Sequence, residues 1–450
     1  MDKKKFVDLT EGVVWKQLLR FVWPITLANL FQQLYGMTNS MIVGNYMSSD
    51  ALSSVSSTQS ICNIASFFFY GISTACGILV SNYHGAKDKE NLRKTIHTGL
   101  VMGVAVGVII TILGEIFCDQ LMGLTNIRDS IYENAEIYLR VYMLGNAAVF
   151  LYNISFFIMR SLGDSRDPLY YLMISSVMNV VLGIAFVKYL NMGVVGTALA
   201  SIISQLLVDV LAIRALFRMD PGFRMTSKDL KMDMHLVRRM MSLGIPASIQ
   251  NMLIALSNMV VQSQVNLFSN EFIAGVGVAE KVAAWTQIPM QSISTIGTSY
   301  VGQNLGARKY ERVHEGIKMC NTIATIITTA LAGIIFIFAE SFVGLFNENP
   351  EVIKFGATMT RYSVFGFIPL TWSHIYNGCC RGAGNMKVPM IIAVFAQCVF
   401  KFIFVTVGLK IRFDVIFVYL ATTLSFALAG ILATIYFHTS KWTKEAHLRP

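Results

Sequence analysis

Stretches of about twenty mostly apolar residues follow one another along almost the whole chain, separated by short polar gaps. A hydrocarbon core about 30 Å thick takes ~20 such residues to cross as a helix, and a backbone in that core must satisfy its own hydrogen bonds. A soluble fold is excluded on the same ground: 54% of the 450 residues are hydrophobic and 14% are charged, against roughly 25% charged in soluble domains. The spans fall at 15–42, 52–81, 94–116, 132–160, 168–189, 194–217, 236–266, 273–302, 315–339, 352–381, 389–409 and 414–438. The longest polar gap, with Pro221-Gly222 inside it, divides the chain into an N-terminal six-helix lobe (1–218), a linker (219–235), a C-terminal six-helix lobe (236–438) and a tail (439–450).

The formal net charge of +10 would suggest nucleic acid as a partner of a soluble protein. Here it reads as topology, because Lys and Arg collect in cytoplasmic loops. With Lys3, Lys4 and Lys5 inside, alternate gaps hold Lys87, Lys89, Arg93 and Lys94; Arg160 and Arg166; Arg218 to Arg239; Arg308, Lys309 and Arg312; Arg381 and Lys387. The tail adds Lys441 and Lys444, while the opposite gaps carry Asp50, Asp119, Glu271 and Glu348 with few bases, such as Arg128. Both termini are therefore expected in the cytoplasm, in a plasma (inner) membrane. The basic, then polar N-terminus lacks the apolar core of a signal peptide. The seven cysteines, among them Cys62, Cys76, Cys320 and the adjacent Cys379-Cys380, suit packing better than a disulfide framework or a metal site.

The chain repeats itself. Arg160-Ser161-Leu162-Gly163 with Pro168 matches Arg381-Gly382-Ala383-Gly384 with Pro389, at 381 − 160 = 389 − 168 = 221. Gly85-Ala86-Lys87 matches Gly306-Ala307-Arg308, again at 306 − 85 = 221, and Pro24 matches Pro246 at 222. Each match alone is weak; one register through them all is not. Six-helix halves repeat with the same membrane orientation, which predicts a pseudo-twofold axis along the membrane normal and transport by alternating access. The matched prolines permit bends in helices 1 and 7.

Several runs resemble the multidrug and toxic compound extrusion (MATE) family: Gln32-Gln33-Leu34-Tyr35, Val43-Gly44, Leu162-Gly163-Asp164-Ser165, Gly244-Ile245-Pro246-Ala247-Ser248-Ile249-Gln250, Val301-Gly302-Gln303-Asn304-Leu305-Gly306-Ala307 and Arg381-Gly382-Ala383-Gly384. Their order and spacing cover nearly the whole chain. The resemblance, within the wider multidrug/oligosaccharidyl-lipid/polysaccharide exporter superfamily, implies an exporter of organic, often cationic compounds in exchange for Na⁺ or H⁺. It implies no other cofactor, no enzymatic activity and no nucleic acid. Its partners are small organic substrates and the bilayer, and a two-lobe chain of this kind can work as a monomer.

The family commonly places an acid in helix 1, four residues after the Tyr, and a second in helix 5, four residues after an Asn. Here those positions are Asn39 and Gly183, and neither can carry a proton. The rest of the polar set remains, so an N-lobe pocket is expected from Gln33, Tyr35, Asn39, Asn153, Asn179 and Ser201, with carbonyl oxygens of Asn39 and Asn179 available to Na⁺. Interhelical polar contacts alone would also explain these residues. In the C-lobe the intramembrane charges are Glu280, Lys281, Arg361 and Lys401, each a candidate for coupling or for an ion pair; Glu280 with Arg361 or Lys401 is the structural alternative. Asp209 lies within reach of Arg214 on the same helix. His97 and His374 read as packing residues. The Gln303-Asn304-Leu305-Gly306 turn lacks the Gly-Lys-Ser/Thr ending of a phosphate loop, so no nucleotide is expected. Adaptable Met and aromatic surface (24 Met, 30 Phe, 17 Tyr) suits promiscuous binding of apolar cations.

Two other functions fit the sequence. A lipid-linked precursor flippase of the same superfamily would need Lys281, Arg361 and Lys401 to converge on one cavity. A transport-inactive sensor would tolerate the missing acids, though the chain has no soluble effector domain.

Overall fold

The computed structural model describes residues 7–123, 129–218 and 231–440. The linker residues 219–230, the tail 441–450, Arg128 and the N-terminal lysines lie outside the described residues. Twelve long helical segments run through the described chain, with short helices at Cys118–Gly123 and Ala339–Gly344 between them: α1 (Val14–Tyr46), α2 (Ser49–Gly85), α3 (Lys89–Ile116), α4 in two pieces (Asp129–Leu144 and Asn146–Ser161), α5 (Arg166–Tyr189), α6 (Gly193–Phe217), α7 (Met234–Val265), α8 (Asn270–Gly306), α9 (Tyr310–Ile337), α10 (Pro350–Gly382), α11 (Lys387–Ile411) and α12 (Ile416–Thr439). Each covers one of the twelve expected spans to within a few residues. Eight of them are long and apolar enough on their own to cross a membrane, and α4 is a ninth if its two pieces, bent by 46°, count as one span. Polar residues dilute α1, α8 and α10 below that standard.

The 221-residue register extends to details. α2 and α8 each have 37 residues and start 270 − 49 = 221 apart; α3 and α9 each have 28 and start 310 − 89 = 221 apart. Ser48 caps α2 by accepting from the Ala51 amide at 3.3 Å, and Ser269 caps α8 from Phe272 at the same distance. Such caps satisfy helix-end N–H groups that would otherwise lack a partner. Lys87 and Arg308 both take a left-handed backbone (φ 55° and 57°), as do Gly163 and Gly384 (93° and 82°). The Gly-Ala-Lys/Arg and Arg-x-x-Gly motifs are thus the turns that end α2, α8, α4 and α10. The Asp164 of the first motif accepts from the amides of Arg166 and Asp167 at 3.1 Å, opening α5.

The chain forms two compact units, 1–8 with 23–248, and 9–22 with 249–450. The division falls inside α1 and α7, beside Pro24 and Pro246, and not at the linker. The lead-in of α1 belongs to the second unit: Leu9 is fully buried, its amide donates to Gln303 Oε1 (3.2 Å) and its carbonyl accepts from Asn304 Nδ2 (3.1 Å). Lys309 Nζ donates to the Thr10 carbonyl at 2.8 Å, and Arg312 Nη2 to Gln17 Oε1 at 2.9 Å. The lead-in of α7 belongs to the first unit. Arg239 donates to the Tyr83 hydroxyl (3.0 Å), Ser248 to the Phe68 carbonyl (3.1 Å), and Met240 joins the core of α2, α3, α4 and α6 around Phe69, Ile96, Ile154 and Leu216. A Cβ on Gly71 would lie 2.6 Å from the Ser248 amide nitrogen, so only glycine permits that approach. The Gln303-Asn304-Leu305-Gly306 run is therefore more than a turn: it grips Leu9, and Lys309 just beyond it holds Thr10.

All seven cysteines are free, and six of them are buried. His97 is buried and His374 half-buried.

Candidate functional site

Four of the six expected N-lobe residues converge. Asn39 of α1 and Asn179 of α5 each donate from Nδ2 to Ser201 Oγ of α6, at 3.3 and 3.2 Å, and Ser201 donates to the Thr197 carbonyl at 3.0 Å. The Tyr35 hydroxyl lies beside Ser201, Asn39 and Asn179 and interacts with all three. Ser201 is thus the node that ties α1, α5 and α6 together. Asn179 is fully buried, and its Oδ1 has no donor. Asn153 and Gln33 do not join: Asn153 donates to the Val149 carbonyl of its own helix at 2.7 Å, and Gln33 is exposed.

Tyr35, Asn39 and Ser201 of the cluster line an open cavity of about 210 Å³ within the first unit. The volume lies a little below the usual range for small-molecule sites, ~300–1,000 Å³. Its other polar walls are Gln59 (α2), Tyr138 and Tyr142 (α4), and Thr197 and Gln205 (α6); none of the described lining residues is charged. Tyr138 and Tyr142 stack with centroids 6.0 Å apart. A neutral wall of phenols and amides can hold an organic cation through ring faces and carbonyl oxygens. It offers Na⁺ only neutral oxygens, such as those of Asn39, Ser201 and Tyr35, with Asn179 buried behind them.

Sequence reasoning passed over Gln59, Tyr138, Tyr142 and Gln205. Two of them carried a signal. Gln205 lies one helical turn beyond Ser201. Gln59 is the repeat partner of Glu280, at 280 − 59 = 221, and both side chains are exposed.

The four C-lobe charges do not meet. Arg361 pairs with Glu340 at 3.1 Å and also donates to the Phe336 carbonyl at 3.4 Å. Lys281 lies over the Phe346 ring at 5.8 Å. Lys401 is buried, 8% exposed, and donates to Asn258 Oδ1 at 3.2 Å. It follows a π-helical turn, Val394–Phe400, a local widening that often marks functional positions. Lys401 and Glu280 interact electrostatically, but no direct ion pair joins them among the described residues. Nor does Asp209 meet Arg214, which is exposed. No cluster of three or more His, Cys, Asp and Glu side chains is placed to hold a metal ion among the described residues.

Two like-folded halves of membrane-crossing helices, with a neutral cavity inside one of them, define a multi-pass membrane transporter with an internal repeat. The chain belongs to the MatE family, whose sequence profile matches residues 24–185 and again 246–407; 246 − 24 = 407 − 185 = 222, the repeat once more. It is similar to the probable multidrug resistance proteins YoeA and YpnP of Bacillus subtilis (strain 168). YoeA is 27% identical over 390 residues, covering 85% of this chain and 84% of that protein. YpnP is 25% identical over 446 residues, covering 97% and 98%. The fold matches that of a multidrug resistance MATE family transporter of the MOP superfamily solved in an outward-facing conformation, with a TM-score of 0.90, 20% identity and coverage of 97% of this chain and 98% of that one.

Proposed function

We propose that this protein is a secondary multidrug exporter. It carries organic, often cationic compounds out across the plasma membrane by alternating access, in exchange for Na⁺ or H⁺, with both termini in the cytoplasm. The observation that carries the reading is the uncharged cavity lined by Tyr35, Asn39, Tyr138, Tyr142 and Ser201, whose aromatic and carbonyl walls suit a weakly hydrated cation. The names of its relatives, multidrug resistance proteins, point the same way. The energy suffices: one charge crossing 100 mV releases ~2.3 kcal/mol, which at ~1.4 kcal/mol per tenfold ratio supports a gradient of roughly forty- to fifty-fold. The test is reconstitution. Proteoliposomes under an imposed H⁺ or Na⁺ gradient should move ethidium or tetraphenylphosphonium; folded protein that moves neither cation under either gradient sinks the proposal. A flippase would gather basic groups to hold a pyrophosphate, and the separate partners of Lys281, Arg361 and Lys401 speak against it.

A further inference from the structure

The acids that the family keeps in helices 1 and 5 are Asn39 and Gly183 here, yet the first unit does contain a buried carboxylate. Asp209 of α6 is 2% exposed, and neither of its oxygens has a hydrogen-bond partner. Of the ionisable side chains on elements packed against α6, Tyr152 of α4 is the one that interacts electrostatically with Asp209. Arg160 of α4 interacts with Tyr152 and Tyr70, Tyr171 of α5 with Asp167 and Asp164, and Tyr138 and Tyr142 of α4 with Cys62, Tyr35 and, for Tyr138, Tyr142. Val208 and Tyr152 belong to an apolar cluster with Phe156, Leu169 and Leu172. An ionised carboxylate in such surroundings has neither counter-charge nor donor among the described residues, whereas the neutral acid has little to lose.

The repeat shows that the fold does not require this group. The buried positions of α12 are 418, 419, 421, 425, 429, 430 and 433; subtracting 221 gives 197, 198, 200, 204, 208, 209 and 212, each buried in α6. The partner of Asp209 is therefore Gly430. A Cβ there would lie 2.3 Å from the Pro369 carbonyl oxygen, so the second half fills the place with backbone alone. The first half has opened it for a carboxyl group.

Asp209 also has a connection to the cavity. Thr197, Ser201, Gln205 and Asp209 recur every four residues, about 6 Å apart along the axis. The first three line the cavity, and Gln205 Nε2 is buried with no acceptor. The polar stripe thus runs from the cavity wall to the acid.

We propose that Asp209 is the proton-carrying group of this transporter, and that H⁺ rather than Na⁺ is the exchanged ion. This rests on the exporter reading above. The step is a plain protonation: the Asp209 carboxylate takes H⁺ from hydronium delivered along the stripe, leaving water and a neutral carboxylic acid, and returns H⁺ to water when the stripe is hydrated in the other conformation. A lone carboxylate among Val, Leu and Phe offers a hard metal cation too few oxygens.

The test uses the full chain in proteoliposomes, with ethidium as probe, under a pH gradient, a Na⁺ gradient, and no ion gradient with ethidium on both sides. Wild type should respond to the pH gradient. Asp209→Asn should lose that response about tenfold or more while retaining ethidium–ethidium counterflow, and Asp209→Glu should restore part of it. A purely structural aspartate would lose counterflow as well. Infrared difference spectra of detergent-solubilised wild type and Asp209→Asn, at neutral pH, give a readout that needs no transport: the carbonyl stretch of a protonated carboxyl should be present in wild type and absent from the variant. Wild type driven by Na⁺ alone, a variant that still follows the pH gradient, or the lack of that band would each overturn the assignment. If no ethidium moves in any arm, the exporter reading fails, and the infrared band still decides the protonation of Asp209.

Discussion

Replacing Asn304 by Ala should loosen the lead-in of α1 without unfolding the second unit. Asn304 is fully buried in the last turn of α8, and its Nδ2 donates to the Leu9 carbonyl at 3.1 Å and to the Tyr300 carbonyl at 2.9 Å. Tyr300 O lies inside α8, where the backbone supplies a donor. Leu9 O would keep only Arg312, whose Nε and Nη2 stand 3.4 and 3.5 Å away, at the edge of hydrogen-bond geometry. Each lost bond contributes about 0.5–1.5 kcal/mol, and a poorly satisfied buried carbonyl costs about 1–3 kcal/mol. Asn304 Oδ1 has no donor in the native fold, so deleting it returns part of that loss. The net is about 1–3 kcal/mol, felt locally. Hydrogen exchange of residues 7–22 in detergent should speed up by roughly five- to 150-fold, at ~1.4 kcal/mol per tenfold, while α9 and α10 keep their protection. Unchanged exchange across 7–22 would refute the grip on residues 9 and 10. A loss of protection spread evenly over 249–440 would show instead that Asn304 supports the whole unit.

Ser201→Ala removes the acceptor shared by Asn39 and Asn179; with polar contacts in membrane bundles averaging ~0.6 kcal/mol and reaching ~1.7, thermal unfolding should register a loss of about 1–3 kcal/mol, together with weaker ethidium binding by fluorescence titration. Gly430→Ala drives a methyl into the Pro369 carbonyl, 2.3 Å from the ideal Cβ position, and should destabilise by about 1–3 kcal/mol or more, read as a lower unfolding temperature. Arg361→Ala should change stability by less than ~1 kcal/mol, since its pair with Glu340 is partly exposed, 37% and 65%; a larger drop would mean that the pair is more isolated from water than its exposure indicates. Glu280→Gln gives the second half the residue its repeat partner already has at Gln59, and should leave both the response to a pH gradient and the affinity for ethidium intact; abolished coupling would move the proton site to the second half.

The helices were legible because their cause is local. Twenty apolar residues, a serine cap such as Ser48 or Ser269 and a left-handed turn such as Lys87 or Arg308 act within one stretch of chain, and the repeat checks each against its partner. Tyr35, Asn39, Asn179 and Ser201 were legible because the spacing of a family motif puts them on facing helices. What the sequence hid depends on partners far along the chain. Pro24 and Pro246 mark where α1 and α7 change units, but a proline does not reveal that Leu9 will bond to Gln303 and Asn304, nearly three hundred residues away. Arg361 lies in sequence as near to Glu340 as to many other acids, and helix rotation decided the pair. Asp209 looked like a member of an i, i+5 pair with Arg214; five residues turn a helix by about 500°, which leaves the two side chains on different faces.

The same register explains why the two halves need not share one chemistry. At two matched places the backbone is repeated and the side chain is not: Gln59 against Glu280, and Asp209 against Gly430. Each replacement changes what the place can bind while leaving caps, turns and buried faces in step. In the first half the wall facing the cavity is neutral, and the carboxyl group is set behind it, at the end of a polar stripe. In the second half the carboxylate of Glu280 is exposed, and the buried Lys401 donates to Asn258 Oδ1 at 3.2 Å. A neutral cavity can accept a cation without first desolvating a carboxylate, and an acid without ion partners can exchange a proton without breaking a salt bridge. Under the proposed assignment, a cation in the cavity and a proton behind it, occupancy of one site would bias the other through α6, because Ser201 and Asp209 lie on the same helix.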